Sequence, residues 1–471
     1  MANQIETDLG QGSVGRLLLR LAVPTVTAQV VNVLYNMVDR MYIGHIEGIG
    51  AQALTGVGVC MPLIMIISAF AALAGMGGSP RASIMMGRGD HPAAEKILGN
   101  CTTLMLVIAG VLTAVFLVFG RDMLLAFGAS GDTIGYAMQY MPIYACGTAF
   151  VQIALGLNSF ITAQGFAKTS MFTVLIGAVI NIILDPIFIF TLDMGVAGAA
   201  AATVISQAVS CIWVLSFLAG RRAVIRLRPK NMRLRASVIL PCILLGLSPF
   251  IMQSTESIIA VCFNASLQVY GGDIAVGAMT ILTTVMQFSM LPLMGLSQGA
   301  QPIISFNFGA RSAQRVKQAF RLLLIVSVAY SAALWALAML APQVLVSIFT
   351  HDPALSQAAV YAMRIYMGVS LLFGVQIACQ QTFIAIGNAK TSLFLAILRK
   401  IILLIPLIYI MPHLLADPVT AVFSAEPVAD AIAVATTAVL FAVQFRQAMK
   451  RLGSEAPQDP PRAGAPARQN T

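Results

Sequence analysis

Long apolar segments recur from one end of the chain to the other, separated by short polar links. Twelve of them reach roughly 20 residues or more, the length that a helix needs to cross the hydrocarbon core of a membrane. Their predicted bounds are 17–43, 52–78, 98–119, 133–163, 169–190, 195–219, 238–269, 275–303, 320–341, 355–385, 391–412 and 427–448. The segments are continuously apolar and lack the alternation of a membrane β-barrel strand. The pattern predicts an all-α membrane protein with twelve transmembrane helices.

Basic residues are concentrated in the links on one side of the predicted membrane. The chain has only 10% charged residues but a formal net charge of +10. The distribution of the basic residues shows whether this charge reflects membrane topology or a binding surface. Basic clusters precede span 1 and follow every even-numbered span, and the cluster assigned to the link after span 10 is Lys390, Arg399 and Lys400. The opposite links hold only Arg40 and Arg121. The positive-inside rule therefore predicts that both termini are cytoplasmic, and the charge gives no reason to expect nucleic acid.

The second half of the chain repeats the first. The sequence "GAQALT" (50–55) matches "AVGAMT" (275–280) at an offset of 225, which also places Pro24 on Pro249. The sequence "GFAKTSM" (165–171) matches "GNAKTSL" (387–393) at an offset of 222. Six spans separate corresponding points, so the two halves cross the membrane in the same direction. This predicts a parallel repeat about an axis along the membrane normal.

The repeat divides the chain into two lobes and two polar segments. We predict an N-lobe at 1–219, a basic cytoplasmic linker at 220–237, a C-lobe at 238–449 and a disordered, Pro-rich tail at 450–471. Two six-helix lobes that face each other predict a central cavity and the alternating access of a secondary transporter. The sequence has no Walker motif, so it does not bind ATP through that device.

Three carboxylates are predicted inside spans, where a charge costs roughly 2.5–3.5 kcal/mol at the helix centre and therefore suggests a function. Of the eighteen acidic residues in the chain, these three are Asp39, Asp185 and Glu256. Asp39 lies four residues from the outer end of span 1, and Asp185 lies five residues from the outer end of span 5. Both should sit about 6–8 Å below the outer boundary, so they can share one site. Tyr35 and Asn181 each precede an acid by four residues, on the same helix face.

Two carboxylates that share a poorly hydrated pocket cannot easily both stay charged. The pair is expected to hold a proton, or to bind a small hard cation such as Na⁺ with help from an amide oxygen and a hydroxyl. In the second repeat Asp39 falls on Asn264, and Asp185 falls on Ile405 when "DPIFI" is aligned with "IPLIY". We therefore expect the N-lobe to carry the ion.

Each acid also has a structural interpretation. Asp39 lies beside an arginine near the interface, where it can face lipid headgroups. Asp185 precedes Pro186 and can satisfy backbone groups at a kink. Glu256 lies near the middle of span 7, three residues after Gln253, and is expected to contact substrate. Its alternative role is that of a protonated, hydrogen-bonded structural residue.

Further polar and flexible side chains on spans 7 and 8 are expected to line the cavity, since methionines give promiscuous binders an adaptable wall. The candidates are Gln253, Asn264, Met286, Gln287, Met290, Gln298 and Gln301. Interhelical hydrogen bonding is the alternative for the glutamines. The sequence "GLSQG" (295–299) fits a GxSxG nucleophile pattern, but it lacks the strand–turn–helix context that such a nucleophile requires.

Several motifs together resemble the multidrug and toxic compound extrusion (MATE) family, and most closely its DinF/MepA-like bacterial branch. They are "LAVPTVTAQVVNVLYNMVDRMYIG", "GRGDHPAAEKILG", "AQGFAKTSM", "NIILDPIFI" and "GVAGAAAATVISQ". The resemblance extends over essentially 14–449. It implies twelve helices in two lobes, a bacterial inner-membrane location and cation-coupled export of lipophilic, usually cationic compounds.

The resemblance also implies roles for individual residues. Asp39, Asp185, Tyr35 and Asn181 match the family's N-lobe cation-site motif, and Asn158 and Thr203 match neighbouring members of that site. Pro24 matches the proline at which span 1 can bend.

These observations predict a multidrug efflux antiporter driven by H⁺ or Na⁺, which is not an enzyme and needs no cofactor beyond the coupling ion. We expect a monomer that contacts membrane lipid and drug-like small molecules. The alternative is a lipid-linked oligosaccharide flippase of the related superfamily. A flippase for a pyrophosphate-linked lipid would want several bases in its cavity, whereas only Arg364 is a credible intramembrane base in the sequence.

Overall fold

The computed structural model describes residues 9–350 and 352–454, which form helices and contain no strand. The helices of the first half are α1 (Val14–Gly44), α2 (Gly50–Gly87), α3 (His91–Ala126), α4 (Ile134–Cys146), α5 (Thr148–Ala163), α6 (Ala167–Pro186) and α7 (Gly195–Ala219). Those of the second half are α8 (Ala236–Gly309), α9 (Ala313–Leu340), α10 (Pro342–Val346), α11 (Pro353–Tyr366), α12 (Phe373–Ala385), α13 (Ala389–Ile397), α14 (Ile405–Ile410) and α15 (Pro418–Ser454). Two π-helical segments, Ile187–Thr191 and Leu398–Leu404, extend α6 and join α13 to α14.

These helices supply the twelve predicted spans. Nine helical stretches of the described chain are long and apolar enough to cross a membrane. Two further spans are bent pairs, in which α4 meets α5 at 58° and the α11 helix meets the Ser370–Ala385 stretch at 47°. The long α8 helix contains two spans, because Gly272 has φ 60° and ψ −159°, outside the helical region. The twelve-helix, two-lobe fold class is confirmed.

The helices extend beyond the apolar runs that predict them. The α2 helix occupies Gly50–Gly87 where the apolar run predicts 52–78, and α15 occupies Pro418–Ser454 where it predicts 427–448. Polar residues can continue a helix past the hydrocarbon layer, so hydropathy underestimates its length. The α15 helix also continues past the predicted start of the tail at 450, and 455–471 lies outside the described residues.

The prediction that only three acids lie inside spans is wrong, and so is the assignment of two bases to a cytoplasmic link. Arg399 and Lys400 lie in the π-helical segment in the middle of span 11. Glu426 and Asp430 lie in α15 and are 3% and 1% exposed. Hydropathy ranks each residue alone, whereas these side chains are tolerated because acids and bases from neighbouring helices pair with each other.

The two lobes pack closely through glycines in the helix halves that the positive-inside rule assigns to the cytoplasm. A Cβ atom at Gly246 of α8 would overlap the carbonyl oxygen of Leu73 in α2, and one at Gly309 would overlap that of Ile84. Small residues allow such close approach between membrane helices. The lobes are therefore closed against each other at this end.

The "GLSQG" sequence lies within α8 and packs against α1, where two glycines one turn apart allow the helices to touch. A Cβ atom at Gly299 would lie 2.6 Å from the Cα of Ala22, and one at Gly295 would lie 2.5 Å from the Cα of Val26. Thr25 Oγ1 of α1 donates a hydrogen bond to the Gly295 carbonyl at 2.6 Å. The motif thus serves helix packing between the lobes.

We predict that Gly246→Ala destabilises the protein by about 1–3 kcal/mol, because the added methyl group overpacks the contact between the lobes. Gly58→Ala is the matched control in α2, since a Cβ atom there meets nothing within 4 Å. Thermal unfolding of the two purified variants in detergent provides the test. Equal unfolding temperatures would show that the contact around Gly246 accommodates a side chain.

Candidate functional site

The structure brings Asp39 and Asp185 together in the N-lobe. Asp39 lies near the end of α1, and Asp185 is the penultimate residue of α6, directly before Pro186. The two carboxyl groups interact directly, and the residues are only 7% and 0% exposed. Pro186 donates no backbone hydrogen bond, and the π-helical segment follows it, so the helix departs from regular α geometry beside the carboxylate.

Asn181 contacts both Asp185 and Thr203. Asn181 lies one turn earlier in α6, and its Nδ2 donates a hydrogen bond to Asp185 Oδ1 at 3.0 Å. The same Nδ2 lies 3.4 Å from the Thr203 Oγ1 of α7. Three helices, α1, α6 and α7, therefore contribute to one site.

Three oxygen atoms of this site are buried without a hydrogen-bond donor among the described residues. They are Asp39 Oδ1, Asp185 Oδ2 and Asn181 Oδ1. Buried acceptors are normally satisfied, so these atoms call for a proton or a cation. The set consists of carboxylate and amide oxygens, which hard cations prefer. The residues present therefore fit either coupling ion, H⁺ or Na⁺.

Tyr35 lies one turn before Asp39 in α1 and contacts the same site. Its hydroxyl interacts with the side chains of Asn36 and Gln207, and it lies within electrostatic range of Asp39. The contact with Gln207 of α7 links α1 to the third helix of the site. Gln207 was not identified from the sequence. It lies four residues after Thr203 on the same face of α7, and this spacing could have indicated it, but an uncharged residue in a span attracts less attention than an acid.

Two tyrosines of α4 border the site and were not identified from the sequence. Tyr140 and Tyr144 are 3% and 5% exposed, and their rings stack with centroids 5.9 Å apart. Tyr140 forms a side-chain hydrogen bond with Thr203. Their spacing in "YMPIY" places them on one face of the helix, which is the signal that could have found them.

Asn158 lies away from the two carboxylates. Its Nδ2 donates a hydrogen bond to the backbone carbonyl of Ser170, near the start of α6. Asp185 follows Ser170 by fifteen residues in the same helix, a separation of roughly 22 Å at 1.5 Å per residue. The structure places Asn158 in the wall of the central cavity instead.

The central cavity lies between the lobes and has a volume of about 290 Å³. Helices α1, α2, α5, α6 and α8 line it. Of the predicted cavity residues, Gln253, Gln298 and Gln301 contribute, together with Gln29 and Asn32 of α1. Its described lining contains no charged side chain and consists of amides, hydroxyls and apolar side chains. Such a surface suits a molecule with apolar and hydrogen-bonding parts.

The other predicted cavity residues, Glu256 among them, lie outside this lining. Met286 packs against the hydrophobic core of the C-lobe. Met290 is half-buried, and Gln287 and Asn264 are exposed. Their positions on spans 7 and 8 suggested that they reach the cleft, but the rotation of each helix about its axis decides which residues do.

Five charged side chains meet in the middle of the C-lobe, and we call them the C-lobe charge cluster: Glu256, Arg399, Lys400, Glu426 and Asp430. Lys400 Nζ lies 2.9 Å from Glu256 Oε1. Arg399 Nε lies 2.6 Å from Asp430 Oδ1, and Arg399 Nη2 lies 3.8 Å from Glu426 Oε1. The cluster joins α8, span 11 and α15.

The cluster corrects the inference about Arg364 and adds acids that the comparison of the two repeats did not find. The prediction that Arg364 is the only credible intramembrane base is wrong, because Arg364 is exposed in the last turn of α11, whereas the side chains of Arg399 and Lys400 are only 13% and 7% exposed at mid-span. The C-lobe lacks acids at the positions matched to Asp39 and Asp185, but it carries Glu256 elsewhere on span 7 and two acids, Glu426 and Asp430, on α15. Residue-by-residue alignment of the halves misses them because they occupy other turns.

Comparison with known proteins identifies relatives over most of the chain. The MatE family model matches residues 24–187 and 249–410. Multidrug export protein MepA of Staphylococcus haemolyticus is 24% identical over 404 residues, which cover 86% of this chain and 88% of that protein. The MepA protein of Staphylococcus aureus is 24% identical over 396 residues, which cover 84% and 87% of the two chains.

Solved structures share the fold. A crystal structure of MATE in the bent conformation has a TM-score of 0.89 at 22% identity, covering 95% of this chain and 99% of that one. A MOP superfamily transporter from Pyrococcus furiosus has a TM-score of 0.86 at 23% identity, covering 95% and 98%. The two MatE matches begin at Pro24 and Pro249, 225 residues apart, and together cover more than half of the chain. This chain belongs to the MATE family of efflux transporters.

Proposed function

We propose that this protein is a secondary active multidrug antiporter, which exports lipophilic and cationic organic compounds in exchange for H⁺ or Na⁺. It acts by alternating access, as a monomer in the bacterial inner membrane with both termini in the cytoplasm. The observation that carries the proposal is the buried Asp39–Asp185 pair with its acceptor oxygens that lack donors. The export activity named for the MepA relatives supports the drug-like substrate class.

The coupling ion acts by changing the charge between α1 and α6. With a proton or a cation bound, the Asp39 and Asp185 carboxyl groups attract each other or share a ligand; without it, they repel. Asp39 is fourteen residues from Thr25 in the same helix, and Thr25 holds α1 to the opposite lobe. Ion binding therefore changes the charge next to α1, and α1 also contacts the C-lobe. Such a change can favour one arrangement of the two lobes over the other.

Substrate would bind in the central cavity, which α1 also lines. Gln29 and Asn32 face the cavity, and Gln29 Nε2 donates a hydrogen bond to Gln298 Oε1 of the C-lobe at 3.0 Å. One helix thus contacts the ion site, the cavity and the opposite lobe. A ligand at either site that favours a different α1 position alters affinity at the other, and this effect is reciprocal.

The flippase alternative finds less support. A pyrophosphate-linked lipid needs basic side chains in the cavity, and no Lys or Arg occurs in the described part of its lining. The bases at membrane depth, Arg399 and Lys400, are paired with acids of the C-lobe. The cavity chemistry therefore favours uncharged or weakly charged amphipathic molecules over a pyrophosphate.

We predict that Asp39→Asn and Asp185→Asn each reduce coupled efflux to the background rate while leaving drug binding largely intact. An amide cannot exchange a proton or supply a second carboxylate to a cation, so the driving ion is lost. Asp132→Asn, in an exposed loop, is the matched control. The measurement is dye efflux from everted vesicles. Coupled efflux at the wild-type rate in either variant would remove that acid from the mechanism.

We predict that drug and ion compete in binding measurements. For a proton, lowering the pH through the titration of the pair should weaken drug affinity about fivefold or more, within the usual range of coupling between sites. For sodium, raising Na⁺ at constant pH should do the same. Drug affinity in detergent is measured against pH and Na⁺ for the wild type and for Asp39→Asn, which should be insensitive. Vesicles with separately imposed pH and sodium gradients then identify the ion, and an affinity indifferent to both would contradict antiport.

We predict that Pro24→Ala lowers the coupling of ion to drug while sparing ion binding. Pro24 lies inside α1 and is buried, one residue before Thr25. Its ring removes one backbone hydrogen bond, so α1 can bend there at lower cost than a regular helix. The measured quantity is the change in drug affinity with ion concentration. An unchanged dependence on the ion in Pro24→Ala would show that α1 does not need this weak point.

A further inference from the structure

Glu256 is not an isolated anion, because its carboxylate forms an ion pair with a base. The Lys400 ammonium lies 2.9 Å from Glu256 Oε1. Arg399 is adjacent in sequence but is directed to α15, where it contacts Asp430 and Glu426. The side chains of successive helical residues project roughly 100° apart, so Arg399 and Lys400 contact different helices. Lys400 is therefore the counter-ion of Glu256.

The two partners differ sharply in exposure. The side chain of Glu256 is 54% exposed, whereas that of Lys400 is 7% exposed. Glu256 lies 20 residues from the first residue of α8, near the middle of its span. A carboxylate exposed at that depth must face water within the protein, because hydrocarbon is too costly an environment.

Neighbouring residues show which opening Glu256 faces. Gln253, three residues earlier on α8, lines the central cavity. Ser257, the next residue, contacts the Met65 sulfur of α2 at 3.5 Å, so this part of α8 faces the opposite lobe. Glu256 is not among the residues that line the central cavity, but it lies one turn from Gln253, on the surface of α8 that faces the opposite lobe. We call this surface beside the cavity the C-lobe wall, and Lys400 lies behind it.

We propose that Lys400 sets the charge preference of this wall, so that zwitterionic and uncharged amphipathic compounds bind nearly as well as monocations. This inference rests on the proposed drug-binding role of the cavity. A monocation that approaches Glu256 is attracted by the carboxylate and repelled by the ammonium behind it, and the two effects nearly cancel. Lys400 is anchored by burial, so it remains in place as a fixed internal cation.

The proposal makes opposite predictions for the two partners. Without Lys400, the wall presents an unpaired anion, and monocations gain affinity. Without Glu256, the wall presents an unpaired cation, and monocations lose affinity. Removal of both restores a neutral wall. A free Glu256 that acts alone would instead make the double variant behave like the Glu256 variant.

The experiment uses two dyes with the same ring system, a rhodamine ethyl ester, which is a monocation, and its free acid, which is a zwitterion. The uncharged dye Nile red reports whether the cavity is intact. Affinities are measured by fluorescence titration of the full chain in detergent. The quantity compared is the affinity of the ester divided by that of the acid, for the wild type, Lys400→Met, Glu256→Gln and the double variant. Lys390→Met, at an exposed position, is the control.

We expect Lys400→Met to raise this ratio about tenfold and Glu256→Gln to lower it by a similar factor, as poorly screened charges allow. The double variant and Lys390→Met should retain the wild-type ratio. A double variant with the ratio of Glu256→Gln would overturn the proposal, even if Lys400→Met alone fails to fold. A wild-type protein that binds none of the dyes would overturn the proposed function as well, whereas dye binding with an unchanging ratio overturns only this inference.

Discussion

A charge at membrane depth has to find its partner within the protein, because hydrocarbon supplies neither counter-ions nor hydrogen bonds. The two lobes meet this constraint differently. In the C-lobe, Arg399 and Lys400 pair with acids from α15 and α8. In the N-lobe, Asp39 and Asp185 meet each other, and oxygen atoms of both lack a donor. We therefore propose that the N-lobe pair takes its ligand from solution.

The same three helix positions of the repeat host both arrangements. The N-lobe site uses spans 1, 5 and 6, and the C-lobe charge cluster uses spans 7, 11 and 12. Span 5 continues as π-helix directly after Asp185 and Pro186, and span 11 is π-helical around Arg399 and Lys400. Irregular turns of this type are common at functional sites. The repeat thus preserves a polar centre in each lobe, but the N-lobe centre contains two acids and the C-lobe centre contains three acids and two bases.

The sequence predicts the features that depend on local order along the chain. Span number follows from run length, and the parallel repeat follows from matched motifs. The common depth of Asp39 and Asp185 follows from their equal distance to the outer ends of spans that run in the same direction. Depth alone was sufficient because these two acids approach each other from neighbouring helices.

The features that the sequence does not predict depend on the rotation of helices and on contacts between them. The apolar residues around Arg399 and Lys400 favour a place inside a span, whereas their charge favours a cytoplasmic link. Only the position of α15, which supplies acids to pair with, decides between these assignments. Likewise, Met286 and Gln298 lie on the same helix, but one packs into the C-lobe core and the other lines the cavity. A single degree of freedom, the rotation of the helix about its axis, separates the two outcomes.

The difference between the lobes bears on how coupling can work. An internal base neutralises an acid permanently, whereas an ion from solution does so only while it is bound. In the proposed transport cycle the Lys400 ammonium stays with its helix in every state, so Glu256 experiences little change of charge. Asp39 and Asp185 experience a full change, and α1 carries one of them together with Thr25, which contacts the opposite lobe. The N-lobe pair thus combines a charge without an internal counter-ion with a direct connection to the interface between the lobes, and we therefore propose that ion coupling is confined to one half of a repeated structure.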